Sequence, residues 1–283
     1  MPYPIIDALT GRWIQVDGRM VAVDAPEAGA LQQPHDETMF YEVIRVVQGV
    51  PLFLEDHLER LQRSVAGAFP VPSTLPDESR ALIAQNAIPA ANLRLVVTAS
   101  RRVLHLTASY YPDAAAVAQG VVTGILDWER ENPNTKIIRA DYKDAIAARF
   151  AQAGPFGPCF ELLLADRQGL LTEGSRSNLF FIRGSDVYSA PDERILLGIT
   201  RRHVRDAIAT AGLRLVTGLF SLDDVRQGRI RTAFLSSSPF DLLPIRAIED
   251  IELDSGRDPA FSALNQAYTQ IVGDYIASHR LPA

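Results

Sequence analysis

The chain has 283 residues, 47% of them hydrophobic and 22% charged, which is typical of a globular protein with room for two average domains. A net charge of -6 argues against a surface that binds nucleic acid or anionic membranes over the whole molecule. A single cysteine, Cys159, excludes an intrachain disulfide and suits a reducing compartment. No apolar run approaches the roughly 20 residues of a membrane helix, and no signal-peptide pattern is present. We therefore expect a cytoplasmic protein without membrane or nucleic-acid partners.

Several familiar catalytic and metal-binding motifs do not occur in the sequence. The five histidines have no close pair at ligand spacing, and with one cysteine we expect no metal site. We find neither a G-x-S-x-G elbow nor a G-x-x-x-x-G-K phosphate loop, and no G-x-G-x-x-G follows a strand.

The first half of the chain predicts an α+β unit. "YEVIRVVQGVPLF" predicts two strands joined at Gln48-Gly49, and "LEDHLERLQRSVAGAF" predicts a helix. A second helix is predicted in "DESRALIAQNAI", and a second pair of strands in "NLRLVVTAS" and "RVLHLTASYY". The small residues and prolines from Tyr111 to Gly120 indicate a linker. We therefore predict an N-terminal domain at residues 1–115 and a C-terminal domain at residues 116–283.

The second half begins with the predicted strand "VVTGIL" and a helix that ends before Gly154. A meander of four strands is predicted next, in "FELLLAD", "GLLTE", "SNLFFI" and "DVYSA". "GITRRHVRDAIATAG" predicts a helix with Thr200 as N-cap and Gly212 as C-terminal stop. The strand in "TAFLSSSPFDLLPI" runs into a serine-rich turn, and a last helix follows.

Individual residues suggest an anion site but leave alternatives open. The N-terminus of the helix that begins near Thr200 offers backbone N–H groups, Ser236 to Ser238 offer hydroxyls, and Arg60 offers a cation. Each also has an ordinary interpretation, as a helix cap, a polar turn or a solvated charge. In the same way Glu173 fits a surface carboxylate at a strand end and Lys136 an exposed lysine. Taken alone, these residues indicate only an enzyme with a phosphate-bearing ligand.

The segments "FYEVIRVVQGVPLFLEDHLERL", "TEGSRSNLFF", "LGITR" and "LSSSPFDLLPI" occur in this order. Together they resemble the class IV (fold type IV) pyridoxal-phosphate enzymes, over most of the chain from about Phe40 to Pro244. That family includes branched-chain and D-amino-acid aminotransferases and aminodeoxychorismate lyase. The resemblance implies an α+β fold with a smaller N-terminal α/β domain, a larger C-terminal domain and the cofactor at their interface. It also implies pyridoxal 5'-phosphate as cofactor and a homodimer.

The resemblance also implies roles for particular residues. Glu173 would bond the pyridinium nitrogen of the cofactor, and Lys136 would form the Schiff base. Lys143 is the alternative lysine, but it would lie inside a helix. Tyr41 would line the substrate pocket. The implied cofactor-binding set is Arg60, Lys136, Glu173, Ser177, Asn178, Ile199, Thr200, Ser237 and Ser238, among which Arg60, Ile199, Thr200 and Ser238 would hold the phosphate.

Three functions remain open at this point. We favour an aminotransferase that moves an amino group between an amino acid, of the branched-chain or D-amino-acid type, and a 2-oxo acid. The alternative is an aminodeoxychorismate lyase that releases pyruvate from the same cofactor site. A non-catalytic cofactor-binding or scaffolding protein is disfavoured because Glu173 and a strand-end lysine are both present.

Overall fold

A computed structural model describes residues 3–109 and 111–280. The chain divides into two compact units. The N-terminal unit comprises, among the described residues, 3–109, 135–141 and 272–280, and the C-terminal unit comprises 111–134 and 142–271. Part of the predicted linker is a short helix, α4 (Ala114–Gln119), whose N-cap Asp113 accepts a hydrogen bond from the Ala116 N–H group. The boundary between residues 115 and 116 stays a prediction.

The N-terminal unit is built on a six-stranded sheet with the order β3-β2-β8-β7-β5-β6, in which the neighbouring strands are antiparallel. The strands of this sheet are β2 (Thr10–Val16), β3 (Arg19–Ala22), β5 (Phe40–Val47), β6 (Val50–Pro51), β7 (Ala90–Val97) and β8 (Arg102–Thr107), and β1 (Tyr3–Pro4) and β4 (Pro34–His35) form a separate two-stranded sheet. The helices of the unit are α1 (Pro26–Ala30), α2 (Leu54–Val65) and α3 (Leu75–Asn86). The predicted hairpin is confirmed, because Gln48 and Gly49 both have positive φ, as a tight turn between twisted strands requires.

Alternate side chains of strand β5 face the two sides of the sheet, and each side has its own apolar cluster. Glu42, Ile44 and Val46 are buried, whereas Tyr41 and Val43 are half-buried. Ile44 and Val46 belong to the apolar cluster that α2 and α3 close, while Tyr41 packs against the cluster on the other face of the sheet. Because successive side chains of a strand point to opposite faces, Tyr41 and Glu42 lie on different sides of the same sheet.

The N-terminus of α2 is held by a residue from the end of the chain. Its N-cap residue, Phe53, has a left-handed conformation and no side-chain cap. Instead, the N–H group of Leu54 donates to the hydroxyl of Tyr275 at 3.2 Å, and that hydroxyl donates to Glu55 at 2.6 Å. This contact satisfies one of the donors that a helix start leaves without an intrahelical partner, and it fixes the helix that carries Arg60.

The C-terminal unit contains a ten-stranded mixed sheet with the order β14-β13-β12-β16-β17-β9-β10-β11-β15, in which β18 also pairs with β17. Its strands are β9 (Val121–Asp127), β10 (Glu161–Ala165), β11 (Leu170–Gly174), β12 (Asn178–Arg183), β13 (Asp186–Ser189), β14 (Arg214–Thr217), β15 (Phe220–Ser221), β16 (Thr232–Ser237), β17 (Asp241–Ile248) and β18 (Ile251–Glu252). Its helices are α4 (Ala114–Gln119), α5 (Ala140–Phe150), α6 (Ile199–Thr210), α7 (Leu222–Arg226) and α8 (Pro259–His279), although α5 begins, and α8 ends, with residues of the N-terminal unit.

The predicted strands β10 to β13 are all present, but the meander is wrong at one connection. Strand β11 pairs with β10 and β15, whereas β12 pairs with β13 and β16. The turn after Glu173 therefore joins two strands that are not neighbours in the sheet. Local sequence predicts a strand but cannot show which distant strand it pairs with.

Helix α6 is confirmed with a different start. Its N-cap is Gly198 and not Thr200, which is the second helical residue. Gly212 follows the helix with a φ of 69°, as predicted for a C-terminal stop. Both units combine helices with largely antiparallel strands, so the predicted α+β class is confirmed. Within the described residues, no helix has the length and apolar character needed to cross a membrane.

One buried histidine on β8 generates a prediction about pH. His105 is fully buried, and neither ring nitrogen has a hydrogen-bond partner among the described residues. Burial lowers the pKa of His105 from 6.5 to about 3, and the guanidinium of Arg94 acts in the same direction. At a pH between these two pKa values, His105 binds a proton in the unfolded chain but not in the folded chain. The free energy of unfolding should therefore fall as the pH is lowered, by up to about 1.4 kcal/mol per pH unit from this group.

The variant His105→Leu should lose this part of the pH dependence. Urea unfolding of both proteins at about pH 7.5 and about pH 5 measures it, and the variant should lose less stability on acidification. A stability difference between the two proteins that stays constant over this range would contradict the assignment.

Candidate active site

The carboxylate of Glu173 lies buried at the end of β11, with 2% of the residue exposed. Its Oε2 accepts a hydrogen bond from the N–H group of Leu196 at 3.1 Å, and its Oε1 lies 2.8 Å from the Nε of Arg130. A carboxylate at this depth is stable only when donors and a cation accompany it. The residue is therefore not the surface carboxylate of the ordinary interpretation.

Arg130 connects Glu173 to an aromatic residue that the sequence did not single out. Its Nη2 donates to the hydroxyl of Tyr142 at 3.2 Å and to the carbonyl oxygen of Ser175 at 3.1 Å. The Tyr142 hydroxyl donates to the same carbonyl at 2.8 Å, and the Arg130 guanidinium lies over the Tyr142 ring, 4.8 Å from its centroid. No sequence signal indicated this contact, because Arg130 follows β9 in a stretch without periodicity.

A second buried carboxylate, Glu161 on β10, holds the turn after Glu173. It accepts hydrogen bonds from the hydroxyls of Ser175 at 2.5 Å and Ser177 at 2.9 Å. A Cβ on Gly174 would lie 2.0 Å from the Ser177 Oγ, so a larger residue there would displace the Ser177 hydroxyl from Glu161. Ser177 belongs to the cofactor-binding set that the resemblance implied. In this structure its hydroxyl binds the carboxylate of Glu161.

The N-terminus of α6 lies beside the serine-rich turn after β16. Ile199 and Thr200 are both buried, and the hydroxyls of Thr200 and Ser238 are 3.5 Å apart. The N-cap Gly198 provides no side-chain cap, and a Cβ there would lie 2.1 Å from the Asn178 Oδ1. The backbone N–H groups of a helix start and two hydroxyls are donors suited to an anion.

Two further residues of the predicted set contact the protein itself. Asn178 donates from its Nδ2 to the carbonyl oxygen of Leu196 at 2.8 Å, and the hydroxyl of Ser237 donates to the carbonyl oxygen of Arg176 at 2.8 Å. Asn178 therefore fixes the segment that leads into α6 and that also supplies the Leu196 N–H group to Glu173. Both residues act here on the backbone around the site.

In the N-terminal unit, Lys136 lies in a short segment that pairs with the start of β5. The N–H group of Tyr41 donates to the Lys136 carbonyl at 3.2 Å, and Phe40 forms an isolated bridge with Ile137. The Nζ of Lys136 lies 4.5 Å from the centroid of the Tyr41 ring, a cation–π geometry. Lys136 thus lies in an extended segment just before α5, and Lys143 lies within that helix.

Arg60 is buried on α2, with 5% of the residue exposed, and is not a solvated surface charge. Its Nε and Nη2 donate to the carboxylate of Glu42. Ser64, one turn further along α2, accepts a hydrogen bond from the Lys136 N–H group at 3.4 Å. Within the N-terminal unit, Arg60 is therefore part of α2, and the backbone of Lys136 is hydrogen-bonded to the same helix.

These residues fit the groups of pyridoxal phosphate that the resemblance implied. The start of α6 and the hydroxyls of Thr200 and Ser238 supply donors for a phosphate. The buried carboxylate of Glu173 is an acceptor for a ring N–H group. A Cβ at Gly174 or at Gly198 would displace the side chain of Ser177 or of Asn178, so the backbone that carries these groups is closely packed.

A family model described as amino-transferase class IV matches residues 39–248. The chain is 26% identical to the branched-chain-amino-acid aminotransferase of Pseudomonas aeruginosa, over 82% of each chain. It is 24% identical to the aminodeoxychorismate lyase of Bacillus subtilis, over 93% of this chain and 96% of the relative. It is 27% identical to a D-alanine aminotransferase of Listeria monocytogenes, over 81% and 85%.

Solved structures share the fold. A hypothetical aminotransferase from Mycobacterium tuberculosis, in a form with alpha-ketoglutarate and PMP bound, superimposes with a TM-score of 0.75. The match covers 93% of this chain and 99% of that chain at 16% identity. At this identity the likeness shows that the fold is the same.

Proposed function

The chain belongs to the class IV aminotransferase family, and from this premise we propose that it moves an amino group between an amino acid and a 2-oxo acid. We infer an amino acid of the branched-chain or D-amino-acid type, since relatives with both names match the chain. One observation carries the proposal. The C-terminal unit combines a buried carboxylate, Glu173, with a helix start lined by hydroxyls. We further propose that the protein is a cytoplasmic homodimer. Analytical ultracentrifugation measures the mass of the particle in solution and so tests the dimer.

The cofactor of the proposed reaction is pyridoxal 5'-phosphate, which when bound supplies an electron sink beside the amino group of the substrate. Glu173 would accept a hydrogen bond from the ring N–H group and so keep that nitrogen protonated. The N–H groups of Ile199 and Thr200, with the Thr200 and Ser238 hydroxyls, would hold the phosphate, and we propose that Arg60 would add its charge.

Lys136 is the proposed attachment point and proton carrier. Its Nζ would hold the cofactor, and as a free amine it would move the proton at the substrate α-carbon. The Tyr41 ring, whose centroid lies 4.5 Å from Nζ, orients the lysine side chain. Tyr41 also lies on the face of β5 away from α2, where we propose that it lines the substrate pocket.

A lyase is the second candidate, and one observation favours it. The match to the aminodeoxychorismate lyase of Bacillus subtilis spans 93% of this chain, more than the matches to the aminotransferases of Pseudomonas aeruginosa and Listeria monocytogenes. The residues proposed to hold the cofactor serve both reactions. The products separate them, because only the lyase releases pyruvate without an amino acceptor.

A substrate panel tests the proposed function. The purified enzyme with cofactor is given L- and D-amino acids together with 2-oxoglutarate or pyruvate, and separately aminodeoxychorismate without any acceptor. We expect a new amino acid to form from one enantiomeric series, with stoichiometric consumption of the oxo acid. Pyruvate release from aminodeoxychorismate in place of amino transfer would favour the lyase, and turnover of neither would contradict both.

Replacement of the two candidate lysines tests the attachment point. Lys136→Ala should abolish covalent attachment, because Lys136 lies in the extended segment before α5, whereas Lys143→Ala should retain it. Borohydride reduction followed by peptide mass spectrometry locates the adduct. A pyridoxyl group on Lys143 in the unmodified enzyme would overturn the assignment.

Glu173→Gln should keep most of the cofactor affinity, because the side chain is nearly isosteric and the phosphate donors remain. The loss of the negative charge lets the ring nitrogen deprotonate, so the proton-transfer step should slow by roughly 10²- to 10³-fold. Stopped-flow half-reactions measure this step.

Glu129→Gln is the matched control for Glu173→Gln, because Glu129 is an exposed carboxylate of the same unit that pairs with Arg167 at the surface. It should react at the rate of the unmodified enzyme. Equal rates for Glu173→Gln and the unmodified enzyme would show that Glu173 is not the partner of the ring.

A further inference from the structure

Glu42 is a buried carboxylate outside the set of residues proposed to bind the cofactor. It lies on the face of β5 that meets α2, and it is fully buried. Its Oε1 accepts a hydrogen bond from the Arg60 Nε at 2.8 Å, and its Oε2 accepts from the Arg60 Nη2 at 2.5 Å and from the His57 Nδ1 at 2.7 Å. Two residues one turn apart on α2 therefore converge on one carboxylate of the sheet.

The cluster holds its charges in a defined state. Burial alone would raise the pKa of Glu42, but the guanidinium of Arg60 and the hydrogen bond from His57 together lower it to about 2. Burial lowers the pKa of His57 and outweighs the opposite effect of the Glu42 carboxylate, and the charges of Arg60 and Lys136 act in the same direction as burial. At neutral pH, Glu42 and Arg60 therefore form a buried ion pair, and a neutral His57 donates to it.

The geometry of the pair determines the direction of the arginine. A guanidinium is planar and rigid, and its donors form two edges. Glu42 binds the edge formed by Nε and Nη2. Because Glu42 is held in strand β5, this contact also fixes the direction of the opposite edge, which carries Nη1. A side chain fixed in this way has lost its rotamer freedom before any ligand arrives.

The cluster also lies close to the proposed attachment lysine. Ser64 follows His57 and Arg60 on the same helix and accepts a hydrogen bond from the Lys136 N–H group. The fixed edge of Arg60 thus belongs to the part of the N-terminal unit that carries Lys136.

We propose that Glu42 is a positioning residue that holds the Arg60 guanidinium in the orientation in which it binds the cofactor phosphate. This inference rests on the proposed function, because it requires Arg60 to bind that phosphate. Glu42 itself does not touch the cofactor.

The chain contains a matched reference for this pair. Glu78 on α3 binds Arg102 on β8 with the same two-point geometry, from Nε to Oε2 and from Nη2 to Oε1, both at 2.9 Å. This pair joins a helix to the same sheet, as the Glu42 pair does. Glu78→Gln therefore reports what the loss of such a pair does to the unit when no phosphate contact is involved.

The test compares two ligands that differ only in the phosphate. Cofactor-free protein is titrated with pyridoxal phosphate and with pyridoxal, for the unmodified chain, Glu42→Gln, Arg60→Lys, the double variant and Glu78→Gln. Glu42→Gln and Arg60→Lys should each weaken pyridoxal phosphate by roughly tenfold or more, the usual effect of one charge-assisted contact. Both should leave pyridoxal within about twofold. The double variant should be no weaker than Arg60→Lys alone, and Glu78→Gln should not change the ratio of the two affinities.

The outcomes separate this inference from the proposed function. If Arg60→Lys weakens pyridoxal phosphate selectively and Glu42→Gln does not, Glu42 has no positioning role and the proposed function stands. Unchanged affinity ratios in both variants would overturn the phosphate role of Arg60 together with this inference. Additive losses in the double variant would show that Glu42 does not act through Arg60.

A shorter carboxylate keeps the test decisive if Glu42→Gln does not fold. Glu42→Asp retains the charge but withdraws the two oxygen atoms from Arg60 by one methylene. It should fold, as judged by its thermal transition, and still lose affinity for pyridoxal phosphate relative to pyridoxal. A folded Glu42→Asp protein with the unmodified affinity ratio would overturn the inference.

Discussion

A carboxylate that leaves water is stable only when cations and N–H or O–H donors replace the water around it. This constraint organises the regions that carry the candidate site. Glu42, Glu161 and Glu173 are each at most 2% exposed, and each is surrounded by donors. Arg60 and His57 donate to Glu42, two serine hydroxyls donate to Glu161, and the Leu196 N–H group and Arg130 accompany Glu173. These donors belong to the helices and turns that carry the residues of the candidate site, so each carboxylate helps to fix those elements.

The three carboxylates have different consequences because different groups accompany them. Serine hydroxyls bind Glu161, and this fixes the shape of a turn. A rigid guanidinium binds Glu42, and this fixes the direction of a cation. Glu173 combines one backbone donor with Arg130, so its surroundings keep a charge at the end of β11. A strand end is a suitable place for such a group, because the sheet holds the backbone rigidly up to the last pair of residues.

The sequence predicted local elements well and their partners poorly. The hairpin at Gln48-Gly49 follows from residues that tolerate a positive φ, and helix α2 follows from its apolar spacing. The connection after β11 was predicted as part of a meander, although β12 pairs with β16, more than fifty residues further along the chain. Thr200 was predicted as an N-cap because threonine is a common cap, but Gly198 fits beside Asn178 where a Cβ would collide. In both cases a distant contact overrode a sound local preference.

The sequence by itself determined the family, the α+β class and the residues to examine, because short segments in a fixed order carry that information. It did not indicate Arg130, Tyr142 or Glu161, and it left Arg60 as a solvated charge in the ordinary interpretation. Only the tertiary structure decided that Arg60 is buried on Glu42 and that Arg130 accompanies Glu173. The physical reason is that burial and ion pairing depend on which distant strands and helices come together, and a charged residue looks the same in the sequence whether water or a buried carboxylate surrounds it.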